Sequence, residues 1–187
     1  MRRICFYISN ERSPPIFTKR FESYIWIRPE GRGTLLESPI IKDLVEGSAA
    51  DGVSNFVVDL EACPGMDSTF MGMLAGLGIG FRKNKEGEIS IVGTTEKTKS
   101  SLKELGLQHL MVIEPTEGVW LEKIDDIREE LVLFNQEREV NREAHILECH
   151  EDLCVADGDN LSRFRAVLEI LGSDMAPKAS THQKDSD

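Results

Sequence analysis

Short apolar blocks recur along the first two thirds of the chain, and their spacing predicts strands. SYIWIR (23–28) alternates apolar positions and predicts a strand with one buried face. NFVVDL (55–60) is an almost unbroken apolar run, which is typical of a strand covered on both faces in a parallel sheet. EISIVG (88–93) and HLMVIEP (109–115) predict two further strands.

Apolar residues at helical spacing predict three helices between these strands. The first has Ser38 as its N-cap and Pro39 at the first helical position. The second begins at about Ser68 and contains four glycines, Gly72, Gly76, Gly78 and Gly80. These glycines lower its helix propensity, which indicates close packing or a thin accessible face. The third, within 95–106, opens on a threonine cap and closes at Gly106. Alternating strands and helices predict a layered α/β domain.

Beyond residue 115 the apolar residues follow helical spacing alone. A first stripe predicts one long helix and consists of Trp120, Ile124, Ile127, Leu131 and Phe134. The stripe resumes in a shifted phase at Val140, Ala144, Leu147 and Cys154. After the break ADGDN (156–160), one face of a short final helix is formed by Leu161, Phe164, Leu168 and Leu171. This pattern predicts a helical hairpin whose stripe packs on its own domain, or else forms the seam of a homodimer or a docking face.

These patterns divide the chain into four parts. We expect an N-terminal extension (1–17), an α/β domain (18–115), a C-terminal helical hairpin (116–173) and a polar, disordered tail (174–187). The apolar stretch near the N-terminus is too short for a signal peptide, and no window predicts a transmembrane helix.

Composition narrows the classes of function. The chain has 187 residues and a formal charge of −11, with 33 acidic against 22 basic side chains. Nucleic-acid grooves and anionic membrane surfaces favour clustered Lys and Arg, so neither partner is expected. Four cysteines without a CxxC pair predict reduced thiols and a cytoplasmic location.

The segment GMDSTFMGMLAG (65–76) carries the most informative polar residues. Asp67, Ser68 or Thr69 can cap the following helix as an ordinary structural device. A hydroxyl exposed beside Phe70 and Met71 can also be phosphorylated, which adds about −1.5 to −2 charges where an apolar partner would reject them.

Other motifs have weaker support. GLGIG (76–80) resembles part of a dinucleotide fingerprint but lies inside a helical pattern. A zinc site is another hypothesis, and its ligands would come from His145, Cys149, His150 and Cys154. No histidine lies near Cys63 in the sequence to activate it as a nucleophile, and the spacing of the acidic residues does not bring two carboxylates together for acid–base catalysis. We therefore expect no enzyme activity, cofactor or metal.

NFVVDLEACPGMDSTFMGMLAGL (55–77) and ISIVGTTEKTKSSLKELGLQHLMVI (89–113) resemble the STAS domain, the module of anti-sigma factor antagonists and sulphate transporter tails. The resemblance covers roughly residues 18–115. It implies a mixed β-sheet with helices packed on it, plus a C-terminal helical extension. In bacterial members the serine after the aspartate is phosphorylated by a GHKL-type serine kinase that doubles as an anti-sigma factor. Carried over, that serine is Ser68.

The resemblance implies a cytoplasmic, non-enzymatic regulator of transcription or stress signalling. Asp67 would orient the serine or cap the helix, and the partner-facing turn would consist of Thr69, Phe70, Met71 and Gly72. Two alternatives stay open. The same surface could assemble a constitutive scaffold without phosphate, or the amides at the helix start could sense a small ligand or anion.

Overall fold

A computed structural model of the chain describes residues 14–84, 87–136 and 140–175. Its strands are β1 (Ile16–Arg20), β2 (Ile25–Pro29), β3 (Asn55–Asp59), β4 (Glu88–Val92), β5 (Val112–Ile113) and β6 (Val132–Phe134). Its α-helices are α1 (Ser38–Ala50), α2 (Ser68–Asn84), α3 (Glu96–Glu104), α4 (Ile124–Glu129), α5 (Arg142–Ala156) and α6 (Asn160–Met175). Most of the expected N-terminal extension (1–13) and of the expected tail (176–187) lies outside the described residues. Among the described helices, none is both long and apolar enough to span a membrane.

The six strands form one mixed sheet in the order β5-β4-β3-β2-β1-β6. Strands β2 to β5 are parallel, and β1 runs antiparallel to both of its neighbours, β2 and β6. The parallel strands β3 and β4 are buried along nearly their whole length, as their apolar runs predict. The predicted mixed sheet with packed helices is therefore confirmed.

The ends of the first and third helices test the capping predictions. Thr95 caps α3, since its side chain accepts the Thr98 N–H, and Gly106 has the left-handed φ of 81° that favours glycine. The predicted Ser38 cap is wrong. Glu37 occupies the N-cap position without a side-chain capping bond, and the Ser38 hydroxyl bonds instead to Leu35 and approaches α5.

The predicted long helix over 120–134 is also wrong. Only a 3-10 helix (Leu121–Lys123) and the short α4 form there, and the chain then becomes strand β6. Trp120 packs edge-on against Trp26 of the sheet, with ring centroids 5.5 Å apart. The apolar stripe therefore covers one face of the sheet, and its last residues fill the edge that β1 would otherwise leave unpaired.

The two C-terminal helices cover the opposite side of the domain. Helix α5 packs along α2, and α6 packs on α5. The break at 156–160 is where it was predicted, but the buried face of α5 differs from the predicted stripe, which is only partly buried. The buried residues are His145, Cys149, His150 and Leu153.

This close approach explains the glycines of α2. A Cβ atom placed on Gly72 would lie 2.7 Å from the Cβ atom of Cys149 and closer still to the Cys149 carbonyl oxygen. Any side chain at this position would push α5 away. The interpretation of the glycines as signs of close packing is thus confirmed at Gly72.

Candidate functional site

Ser68 is the first residue of α2, at a junction that the sheet-side loops hold in place. The Asp67 N–H donates to the Gly33 carbonyl at 2.9 Å, and Gly33 and Met66 form an isolated parallel bridge. A Cβ atom on Gly33 would lie 2.9 Å from the Phe70 ring, so glycine is needed there for the loop and the helix to approach. The position of Ser68 is therefore set by backbone contacts on both sides.

Asp67 is the residue that caps α2. Its Oδ1 accepts the Phe70 N–H at 2.8 Å, and its Oδ2 accepts the Leu35 N–H at 3.0 Å. One carboxylate thus satisfies an orphan amide of the helix and ties the loop before α1 to the start of α2. It also places a negative charge next to Ser68.

The apolar residues that follow Ser68 do not form an exposed face. Phe70 is fully buried and Met71 is 9 % exposed. Both side chains belong to the main hydrophobic core, so they are not available at the surface to a partner in this structure. Thr69 is also buried, and Gly72 lies directly under α5.

A histidine from α5 contacts the serine itself. His150 Nε2 lies 3.0 Å from Ser68 Oγ, and His150 Nδ1 lies 2.7 Å from the carbonyl oxygen of Ile146. Because a carbonyl only accepts, Nδ1 carries a proton, and in the neutral ring Nε2 accepts the Ser68 hydroxyl proton. Ser68 is half-buried, and His150 is 3 % exposed.

The remaining residues of the zinc hypothesis are placed nearby but do not form a metal site. His145 Nε2 lies 2.7 Å from Ser38 Oγ and 3.6 Å from Cys149 Sγ. Within residues 14–84, 87–136 and 140–175, no group of three or more potential ligands is arranged to hold a metal. Burial raises the pKa of the Cys149 thiol to about 12, so this thiol is a packing residue in the docked helix.

Glu37 lies at the same junction, under the start of α1. Its Oε2 accepts both the N–H and the hydroxyl of Thr34, at 2.9 and 2.7 Å. Its Oε1 is buried without a hydrogen-bond partner, and burial raises the pKa of this carboxyl. Because a buried charge without a hydrogen-bond partner is costly, this environment favours the protonated form of the Glu37 carboxyl.

A second polar cluster, which the sequence did not indicate, lies at the carboxyl end of β3. The fully buried Asp59 carboxylate accepts Arg128 at 2.7 and 2.9 Å, Trp26 Nε1 at 3.2 Å and Arg28 at 3.3 Å. The Glu61 N–H adds a bond of 3.1 Å to Oδ1. Arg128 comes from α4, so this cluster fastens the segment after β5 to the sheet.

Residues 19–119 match the STAS domain family, and the chain belongs to that family. No curated protein matches the chain by sequence. Both Arg128 and His150 lie beyond the matched residues, so the contacts with the sheet and with Ser68 are made from outside the family match.

Several solved structures are similar to part of this chain. The Thermotoga maritima protein TM1081 has a TM-score of 0.49 at 17 % identity, over 67 % of this chain and 92 % of its own. The anti-sigma factor antagonist SpoIIAA in its unphosphorylated form has a TM-score of 0.46 at 16 % identity, over 61 % and 97 %. An anti-sigma factor antagonist from Mycobacterium paratuberculosis has a TM-score of 0.47 at 19 % identity, over 60 % and 92 %. The family assignment rests on the sequence match and not on these likenesses.

Proposed function

We propose that this STAS domain is a non-catalytic, protein-binding regulator of the anti-sigma factor antagonist type, switched by phosphorylation of Ser68. Its partner would be a GHKL-type serine kinase that also acts as the anti-sigma factor. The observation that carries the proposal is the position of Ser68, a half-buried serine at the first position of α2, directly after the capping Asp67. The chain would then be substrate and ligand in transcriptional or stress signalling in the cytoplasm.

The proposed modification is an ordinary phosphoryl transfer. A bond forms between Ser68 Oγ and the γ-phosphorus of ATP, the bond from that phosphorus to the β-γ bridging oxygen breaks, and ADP and the hydroxyl proton leave. The product adds about −1.5 to −2 charges beside Asp67. A partner surface that accepts the hydroxyl without a compensating cation would reject this dianion.

The residues that the proposal assigns to partner binding differ in their exposure. Asp67 and Ser68 are accessible in part, whereas Thr69, Phe70, Met71 and Gly72 are covered in the structure described. Their proposed contribution is therefore to shape the start of α2, and direct contact with a partner at Gly72 requires α5 to move.

The anion-sensor alternative has less support from the geometry. The Asp67 carboxylate already accepts the Phe70 N–H at the start of α2. A free anion would have to approach this carboxylate, and like charges at short range repel. The scaffold alternative uses the same surface and differs only in lacking phosphate.

Two measurements test the proposed function. Phosphopeptide mass spectrometry on the protein from its native cells should find phosphate on Ser68 and none on the exposed control Ser100. By calorimetry with the kinase, Ser68→Asp should weaken binding at least tenfold, while Ser68→Ala and Ser100→Asp keep it. Equal affinities for Ser68→Ala and Ser68→Asp would contradict the switch, and a chain that never carries phosphate on Ser68 would favour the scaffold.

A further inference from the structure

Helix α5 occupies the face of α2 that begins at Ser68. Gly72 lets the α5 backbone come close, and one turn later a Cβ atom on Gly76 would lie 3.0 Å from the side-chain Cγ of Asp152. Leu153 of the same helix is fully buried in the main core. The face of α2 is therefore shaped to receive a helix, and the chain supplies that helix itself.

The inner face of α5 is more polar than a permanent core helix requires. His145 and His150 are 6 % and 3 % exposed, where aliphatic residues would bury more apolar surface at lower cost. Burial and the nearby Glu148 raise the pKa of the Asp152 carboxyl to about 6. Part of the contact thus depends on polar groups that water would solvate well, which lowers the free energy needed to separate α5 from α2.

The His150 ring has little freedom to move away from Ser68. Its Nδ1–H donates to the Ile146 carbonyl on the preceding turn, which fixes the ring on α5. On its other side, Phe164 of α6 packs edge-on against the ring with centroids 4.9 Å apart. The ring, α5 and α6 therefore move together.

A phosphate on Ser68 is incompatible with this arrangement. The ester oxygen has no proton to donate to His150 Nε2, and the 3.0 Å separation leaves no room for a phosphoryl group between the two atoms. The new charge would also face the Asp67 carboxylate on the adjacent residue. Separation of α5 from α2 relieves the two conflicts with His150 and opens the new charge to water, which screens its repulsion by Asp67.

We propose that α5 and α6 form a self-docked arm that covers the partner-binding face of α2, and that phosphorylation of Ser68 and docking of this arm exclude each other through His150. This inference rests on the proposed function for the identity of the modification. The coupling is reciprocal, so a docked arm also keeps the kinase from Ser68.

In the unmodified protein, the docked arm lowers the measured affinity for a partner. A helical element of a protein partner that seats against Gly72 competes with α5 for the same surface. The measured affinity is then the affinity of the open form multiplied by the fraction of molecules that are open. Release of the arm without phosphate on Ser68 raises partner affinity with no change in the contacts that the partner makes, whereas after phosphorylation the released face carries the dianion that the partner rejects.

Alkylation of two buried cysteines tests the coupling directly. Cys149 lies on the inner face of α5 and is 2 % exposed, while Cys63 is fully buried in the core of the domain. The full-length chain is prepared with serine or with co-translationally incorporated phosphoserine at position 68, and iodoacetamide labelling is followed by peptide mass spectrometry. With serine, both thiols should be protected, since only an accessible thiolate reacts. With phosphoserine, Cys149 should react at least tenfold faster while Cys63 stays protected.

Two glycine variants separate arm release from a general loss of stability. Gly72→Ala should expose Cys149 without phosphate, because its methyl group meets the α5 backbone. Gly80→Ala adds the same methyl group to the same helix where no atom lies within 4 Å, and should leave Cys149 protected.

Each outcome decides the proposal. Cys149 that stays protected in the phosphoserine protein, or Cys63 that loses protection together with it, overturns the coupling. Cys149 that stays protected in Gly72→Ala overturns the displaceable arm. Because no kinase is used, these outcomes are independent of whether cells phosphorylate Ser68, so the coupling and the proposed function can fail separately.

Discussion

The chain that follows the matched STAS region is fastened to it at two places, and the two attachments differ in how well their polar groups are satisfied. At the first, the buried Asp59 carboxylate receives donors from Trp26, Arg28, Arg128 and the Glu61 backbone. At the second, α5 brings His150 to Ser68 of α2 and His145 to Ser38 of α1, and the pKa of Asp152 is raised. Beyond residue 119, Arg128 thus joins an ion-pair cluster in which the Asp59 carboxylate has all its donors, whereas α5 makes a polar contact whose groups are less well satisfied.

The difference indicates distinct roles for the two attachments. A buried carboxylate with all its donors in place is costly to disrupt, because removal of one partner leaves the others uncompensated. A contact made through glycine and imidazole side chains is easier to separate, since each group is solvated well when exposed. The α4 and β6 segment is therefore expected to stay with the sheet when α5 and α6 leave α2.

The largest expected effect is at Asp59. Asp59→Ala should lower the free energy of unfolding by about 3 to 5 kcal/mol, because it leaves Arg28 and Arg128 without their shared carboxylate. Urea unfolding measures the loss. The control Asp125→Ala removes another Arg128 partner whose side chain is 97 % exposed, and should change stability by less than about 0.5 kcal/mol. Equal losses in the two variants would mean that the cluster is not a fastening point.

The next effect is at Leu153, which is fully buried on the inner face of α5. Leu153→Ala should weaken docking of α5 by about 2 to 5 kcal/mol, the usual cost of this truncation in a packed site. Cys149 should become reactive to iodoacetamide while Cys63 stays protected. Leu161→Ala, at a position 57 % exposed on α6, serves as the control and should change neither rate. Exposure of both cysteines by Leu153→Ala would contradict the displaceable arm, because α5 could then leave α2 only when the domain unfolds.

The smallest expected effect is a pH dependence of α5 docking through Asp152. The pKa of this carboxyl is raised to about 6 from 3.8, chiefly by burial and then by Glu148, with Lys42 opposing. A raised pKa means that the docked state binds the proton more tightly, so this contribution is fully present below about pH 3.8 and is lost as the pH rises through about 6. Asp152 is partly exposed to solvent, so we expect less than about 1 kcal/mol after screening.

The measurement compares unfolding free energies at pH 5 and pH 7.5 in the wild type and in Asp152→Asn. The wild type should gain stability relative to the variant at the lower pH. The difference between the two proteins removes the contribution of the titratable groups that both proteins share. A difference that does not change with pH, or that has the opposite sign, would contradict burial of Asp152 against α2.

Local patterns were sufficient to place the elements from β2 to β5, although β2 is buried on both faces and not on one as its alternation predicted. The apolar run of β3, the Thr95 cap and the Gly106 stop each depend on residues close in sequence, and each was predicted. Ser38 was predicted wrongly as a cap because its hydroxyl is used in a contact with His145, 107 residues away. The stripe over 120–134 failed for a related reason, since the free edge of β1 selects a strand at Val132–Phe134, whereas the later stripes do form helices α5 and α6.

The candidate site was likewise predictable only where its residues lie close together in the sequence. Asp67 and Ser68 were recognisable because a capping acid and a hydroxyl follow a buried strand within a few residues. His150 was not recognisable as a contact of Ser68, from which it is separated by 82 residues. Two signals pointed towards it, namely the glycine at position 72 and the histidines on a helix whose inner face was expected to be apolar. Only the packing of α5 on α2 joins them.

The most direct test of the contrast between the two attachments is hydrogen exchange on the full-length chain with serine or phosphoserine at position 68. Amides of α5, Arg142–Ala156, should exchange much faster in the phosphoserine protein, while those of β6, Val132–Phe134, and of β3 keep their protection. Unchanged protection of α5, or loss of protection in α5 and β6 together, would contradict a displaceable arm beside a fixed segment.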